Sequence, residues 1–371
     1  MTALQPRSGL VQNAARALAS GALAAVQALA LAQPAAPAPT PSPTPVPAAA
    51  PAALAAAPDN FADRVNRQAM LALWWGDFEA LRSLYTQARA SNELTRLGRQ
   101  AIGSFSLGVG RVFGVGTPDA SEAYFINLEG LTADWLRQNP GDPLAVALHA
   151  RAQYARAWWY RGDGYANTVS PQQMALFERH IQRALATLTA QAAAPDDVMS
   201  HVYLVMILRA ASVNFRDQQR VAERVFAQRP DAIGLWAELL NSAVPKWGGS
   251  WSLVNAVIRD AAARQADATS GDILYALLWL AISGDASGQF FEETRVDWAR
   301  LQRGLDAVLQ RRESDALRNS YASLACLRQD PVAARRQLEL VGRRVDVKEW
   351  IGHSDGKAAY DLCRSWLRQN P

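Results

Sequence analysis

Cysteine, histidine and lysine are all scarce in this chain. Two cysteines in 371 residues, Cys326 and Cys363, exclude a disulfide framework and a structural zinc site. The four histidines (His149, His180, His201, His353) lack metal-ligand spacing, and no HExxH, Cys–His cluster or Gly-x-Ser-x-Gly element is present. Lysine occurs only at Lys246, Lys348 and Lys357, so 35 of the 38 basic residues are arginine, a skew that first reflects GC-rich coding. Against 34 acids the formal charge is +4, which does not mark a nucleic-acid binder. Strand signals are also missing: there is no sustained period-two alternation and no Asn-Gly hairpin between β-branched runs. What remains is 50% hydrophobic and rich in tryptophan, with 12 Trp, which is ample for a folded core.

Residues 1–58 contain no acid and two bases, Arg7 and Arg16. An apolar stretch from Ala17 to Ala32 ends in Ala30-Leu31-Ala32. This basic start, short apolar run and small-x-small exit predict a secretory signal peptide over 1–32, cleaved near Ala32. An uncleaved anchor and a cytoplasmic tail are the alternatives, but the stretch is short and Ala-rich for a membrane span. No cysteine follows it, which disfavours a lipoprotein. Residues 33–58 hold nine Pro and eleven Ala and predict an extended spacer. Cleavage would leave 36 bases against 34 acids, so half the apparent basicity belongs to the leader.

Residues 59–371 are expected to form one all-helical domain. Thr117-Pro118, Asp142-Pro143, Ser170-Pro171 and Asp330-Pro331 each place a capping side chain before a first-turn proline. Stop signals recur at Gly76, Gly114, Asn139-Pro140-Gly141, Gly162, Arg229-Pro230 and Gly284. Between them apolar residues repeat at three- and four-residue spacing, as in Val198, Val202, Val205 and Met206, followed by Arg209 as a snorkelling base. About fourteen helices are expected, joined by short connections and packed as antiparallel hairpins. The phrases RQNPGDPLAVAL, AQRPDAIGLWAEL and LRQDPVAARRQL resemble tetratricopeptide-like turns, without a strict 34-residue period. The fold class is therefore all-α, a degenerate α-solenoid, with a globular helical bundle as the alternative.

Three stretches carry a family resemblance: HARAQYARAWWYRGDGYANTV (149–169), PKWGGSW (245–251), and FFEETRVDWARLQRGLDAVL (290–309) with YASLACLRQDP (321–331). Together they resemble the bacterial domain-of-unknown-function family 4034 across most of 59–371. Its hallmarks correspond to Ala157 through Val169, Pro245 through Trp247, and Val296 through Trp298. The resemblance implies an architecture and a candidate surface, often behind an export signal, and no assigned reaction.

The same stretches hold the candidate ligand- or partner-binding residues. Trp158, Arg161 and Tyr165 sit at a helix end beside a Gly-rich bend and are suited to a ligand lip; the alternative is core tryptophan with Arg161 capping carbonyls. Lys246, Trp247 and Trp251 surround two glycines, where an ammonium between indoles and free amides can hold an anion or a sugar; the alternative is a packed turn with Lys246 in a salt bridge. Arg295, Asp297 and Trp298 put charge beside an aromatic, although an N-cap suits Asp297 better. Glu292 and Glu293 are neighbours on one helix and point about 100° apart, so they cannot act on one bond. GVGRVFGVG (108–116) lacks a phosphate-loop Lys and reads as a flexible helix end. The arginine pairs at 311–312, 335–336 and 343–344 are interrupted by acids and read as a solvated face. Cys326 and Cys363 lie on two late helices with one between, so either a disulfide or a plain buried thiol fits.

No catalytic constellation, metal site or cofactor motif emerges. The expected role is an exported, periplasmic helical-repeat adaptor for a protein or peptide, without nucleic acid and without a stable membrane span after cleavage. A binder or enzyme for an anionic or sugar-like compound, and a cytosolic scaffold, are the competing readings.

Overall fold

The computed structural model describes residues 60–371 except 92, 94, 96–99, 115–119, 163, 165–167, 191–193, 195, 287–288, 351–354 and 371. The leader, the spacer, the Thr117-Pro118 cap, His353 and Tyr165 lie outside the described residues. Those that are described form sixteen α-helices and no strand. The first eight are α1 (Phe61–Trp74), α2 (Phe78–Ala90), α3 (Ala101–Val112), α4 (Glu122–Gln138), α5 (Pro143–Arg161), α6 (Pro171–Thr189), α7 (Val198–Ala210) and α8 (Phe215–Phe226). There follow α9 (Ile233–Ala243), α10 (Trp251–Ala263), α11 (Ala268–Ile282), the short α12 (Phe290–Thr294), α13 (Trp298–Arg311), α14 (Asp315–Leu327), α15 (Pro331–Val341) and α16 (Gly356–Gln369).

The caps explain the boundaries. Asp142 accepts from the Leu144 amide at 2.8 Å and Asp330 from the Ala333 amide at 3.0 Å, each with proline in the first turn. Ser170 and Gln173 form a reciprocal capping box. Asp197 is the N-cap of α7 and accepts from the Ser200 amide at 3.2 Å. Gly162, at φ 69°, closes α5, a geometry an L side chain resists.

Packing is between helices close in sequence. Consecutive pairs dock, notably α4 on α5, α5 on α6, α10 on α11 and α14 on α15. A second row links every other helix: α1 with α3, α5 with α7, α7 with α9, α9 with α11, α11 with α13. Helices α5, α9 and α11 therefore have neighbours on several sides and are buried through most of their length. Two apolar cores result, one running from α1 to α7 and one from α7 to α15, with α7 contributing to both. Near the seam Arg209 does not snorkel: its side chain is mostly covered and ion-paired with Glu238 of α9. Gly108 is likewise not a loose helix end. It lies against α1 so closely that a Cβ there would sit 2.1 Å from the Asn66 carbonyl oxygen.

Two long-range ties close the structure. Arg312, at the end of α13, pairs with Asp63 in the first turn of α1 at 3.1 Å, across 249 residues of sequence. Cys326 of α14 and Cys363 of α16 are joined by a disulfide with a Cα–Cα distance of 5.6 Å. That decides between the two states the sequence left open.

Candidate functional site

Contacts at the helix ends separate the molecule into two unlike edges. At one edge Trp74, ending α1, lies 6.1 Å from the Tyr124 ring at the start of α4. Tyr124, Phe125 and Trp159 continue the aromatic chain at 5.3 and 6.3 Å, and the Trp159 indole donates to the Ala120 carbonyl at 2.9 Å. Trp158, at the end of α5, meets Trp247 of the 3₁₀ turn Pro245–Trp247 edge-on at 6.4 Å. Along the same edge the Trp251 indole donates to Glu293 and the Trp298 indole to Asp330, each at 2.9 Å. Among the described residues the exposed tryptophans are Trp74, Trp75, Trp159 and Trp247; Trp74, Trp159 and Trp247 take part in these contacts, and Trp75 follows Trp74 directly. Trp75 is the barest, at 77% exposed.

The opposite helix ends are tied by charge instead. The Tyr85 hydroxyl donates to Asp197 at 2.9 Å, and Arg89 pairs with Asp196 at 2.7 Å. Arg82 bridges to Asp142 and Arg264 to Glu223, both at 2.7 Å. Burial, with the Asp197 charge beside it, pushes the Tyr85 phenol well above its usual range. A cleft at this edge is lined by Tyr85, Arg89, Gln100, Asp196 and Arg229; Arg89 pairs with Asp196 and Arg229 with Asp231.

Of the nine residues singled out in the sequence, eight are described, and most of them fall into two groups at these helix ends. Trp158, Arg161 and Trp247 come together: the Arg161 guanidinium stacks 5.1 Å above Trp158 and donates to the carbonyls of Gly162 and Gly164 at 3.1 and 2.9 Å. Arg209 stacks 5.3 Å above Trp247 from the inner side. Lys246 is one residue away but turned elsewhere, paired with Asp285 at 2.5 Å with little of either side chain exposed. The amides of Gly248, Gly249 and Ser250 are taken by the carbonyls of Pro245, Val244 and Ala243, so the turn offers no free amide cradle. Trp251, Asp297 and Trp298 form the second group. Asp297 caps α13, accepting from the Arg300 amide at 3.0 Å, and its own amide donates to the Tyr275 hydroxyl at 2.9 Å. Arg295 is exposed, in a left-handed conformation at φ 50°.

The other sequence candidates are structural. His149 lies between Thr132 Oγ1 at 3.1 Å and Gln153 Nε2 at 3.0 Å, and burial lowers its pKa. Arg336 and Arg344 pair with Asp306 and Asp315, and Arg335 donates to the Leu367 carbonyl. Among the described residues no His, Cys, Asp and Glu gather in a metal-holding group, and no helix is long and apolar enough to cross a membrane.

Sequence reasoning missed a buried polar layer beneath the first group. It comprises Arg151 and Tyr154 of α5, Tyr203 of α7 and Glu238 of α9, with the partly buried Arg209 of α7 paired to Glu238. Burial pushes the Tyr203 phenol up to about 12 and lowers the Arg151 pKa. One signal was available. The polar residues His149, Arg151 and Gln153 spread around α5 rather than lying on one face, as expected of a helix buried on all sides.

No protein-family model, no curated protein and no solved structure matches the chain.

Proposed function

We propose that this protein is an exported binding protein built as a superhelix of helical hairpins, which docks a partner protein or peptide on its aromatic edge. The observation that carries the reading is the asymmetry of the two edges. One is consumed by ion pairs, while the other leaves Trp74, Trp159 and Trp247 exposed among aromatic contacts, with the barer Trp75 next to Trp74. Exposed tryptophan is enriched where partners bind, because a large rigid ring buries much apolar area at little entropic cost. Packing of helices on their first and second neighbours supports the solenoid reading, since stacked hairpins of that kind present long continuous surfaces. The disulfide supports an oxidising compartment, as does the leader over residues 1–32. In this reading the chain is a divergent member of the bacterial domain-of-unknown-function family 4034, on the three stretches quoted above.

The test places a photo-cross-linking amino acid at positions 75 and 247, and at 137 near the opposite edge, in cells expressing the full chain. A discrete adduct from the first two positions and none from 137 is expected. The partner so identified, once purified, should bind W74A/W75A about tenfold or more weakly, while the variant's melting temperature stays unchanged. Equal adducts at all three positions, or undiminished binding by the double variant, would overturn the assignment. Intact mass in a periplasmic fraction checks cleavage near Ala32.

A further inference from the structure

A third, small apolar cluster lies apart from the two main cores. It joins Ala322 of α14, Trp350, and Ala359 and Cys363 of α16. Beside it opens a cavity of about 140 Å³, lined by Leu327, Trp350, Leu362, Trp366 and both half-cystines, Cys326 and Cys363. A water molecule occupies about 30 Å³ of liquid, so the cavity has room for the sulfur end of a thiol. The two half-cystines are unequally covered. Cys326 is half-buried, whereas Cys363 is 4% exposed. Of the two, Cys326 is the more open to a reagent in the cavity.

What the bond holds is a terminal element with few other ties. No residue of α16 belongs to either main core, although Trp366 and Leu367 lean on one of them. Tyr360 meets Trp350 edge-on at 5.0 Å, and Arg335 of α15 donates to the carbonyls of Leu367, at 2.9 Å, and Asn370. Trp350 is held to α14 separately, its indole donating to Asn319 at 3.1 Å. It therefore stays in place if α16 leaves. The chain has two cysteines in all, so a reduced pair has no third thiol with which to mispair. Reachable disulfides are the labile, regulatory ones, and bonds sealed in a core resist reduction.

We infer that Cys326–Cys363 is a reversible redox latch, opened by a dithiol entering the cavity and freeing α16 from α14. A thiolate of the dithiol attacks Sγ of Cys326. The S–S bond breaks, and Cys363 leaves as a thiolate that takes a proton from water. The second thiol of the reductant, deprotonated in turn, attacks the reductant's own sulfur in the mixed disulfide and expels the Cys326 thiolate, which is protonated likewise. Two electrons and two protons pass to the protein, and the dithiol becomes a disulfide. Release bares Ala322, Cys326 and the Tyr360-facing side of Trp350, an apolar strip that α16 covers in the oxidised state. The latch does not rest on the docking edge, and its failure would leave that reading untouched.

The experiment uses the purified, oxidised full chain in native buffer, with dithiothreitol as the dithiol and alkylation quenching read by mass. The reduction rate should rise in proportion to dithiothreitol concentration, as direct attack through the cavity requires. A rate that levels off with concentration would mean that the bond is reached only by prior unfolding, and would overturn the latch. Glutathione, a monothiol, should leave its mixed disulfide on Cys326; finding it on Cys363 would refute the route of attack. In the reduced protein, release of α16 should let iodoacetamide modify Cys363 within about tenfold of the Cys326 rate. A Cys363 slower than that would show α16 still docked and the bond no latch.

Discussion

Breaking the Cys326–Cys363 bond should release α16 while leaving the rest of the molecule folded. The helix buries little: Ala359 and Cys363 are its buried residues, with Tyr360, Trp366 and Leu367 partly covered. An isolated 14-residue helix is marginal in water, so its order depends on what holds it to α14. If α15 stays docked, the freed segment runs from Gly342 to Cys363, and closing a loop of that size costs about 3 kcal/mol. The bond spares the folded chain that cost, so removing it should raise the local opening equilibrium of α16 on the order of a hundredfold. Hydrogen exchange on oxidised protein, on protein reduced with dithiothreitol, and on C326S/C363S measures this directly. Amides in 356–369 should lose about two decades of protection, and those of α5, α9 and α11 should keep theirs. Unchanged protection of α16 would show that apolar packing alone holds it. Loss of protection throughout would show that α16 belongs to the main cooperative unit. Either result refutes the loop-closure argument.

Two glycine substitutions of opposite sign test the packing. A Cβ at Gly304 would lie 2.1 Å from the Asp272 carbonyl oxygen and 2.6 Å from the Ala276 methyl, so G304A should push α13 off α11 and destabilise by about 1–3 kcal/mol in urea melts. A Cβ at Gly130, on the exposed side of α4, meets nothing within 4 Å, so G130A should stabilise by up to about 1 kcal/mol; equal effects at both sites would contradict the described crossing. Burial lowers the pKa of both His149 and His180 from the ordinary 6.5, and for His180 this prevails over the opposing charge of Glu129. The unfolded chain then binds protons that the folded one refuses, so stability is full above pH 6.5 and falls as pH drops below it. H149Q/H180Q should flatten the melting-temperature profile between pH 6.5 and 5.5, and an unaltered slope would assign the loss to carboxylates.

How much of this was legible in the sequence depended on the range of the interaction. Asp142, Ser170, Asp297 and Asp330 were readable as caps because a side chain bonding an amide two or three residues ahead is a local event. The aromatic loops stood out by composition, and Trp158 and Trp247 from two of them meet edge-on. Partners distant in the chain left no trace. Lys246 was conspicuous for its rarity, yet its orientation is set by Asp285, 39 residues on. Arg209 looked like a base reaching for solvent because nothing local announces Glu238. Arg312 and Asp63 are joined only because the stack of helices returns on itself.

The burial of α5 has the same origin and the larger consequence. A helix with neighbours on one side can turn its polar residues to water, but one flanked by α4, α6 and α7 cannot. Each polar group it carries must then find a partner inside the protein or go without. His149 and Gln153 find each other, one helical turn apart. Arg151 is placed by the same helix among rings that attract its charge and cannot accept its hydrogens. An arginine count near balance with the acids conceals this, because charge matters by pairing rather than by sum. Arg82, Arg89, Arg264 and Arg312 are neutralised in place at one edge. Arg151 keeps its charge inside the stack, held over the Phe113 and Tyr154 rings rather than beside a carboxylate.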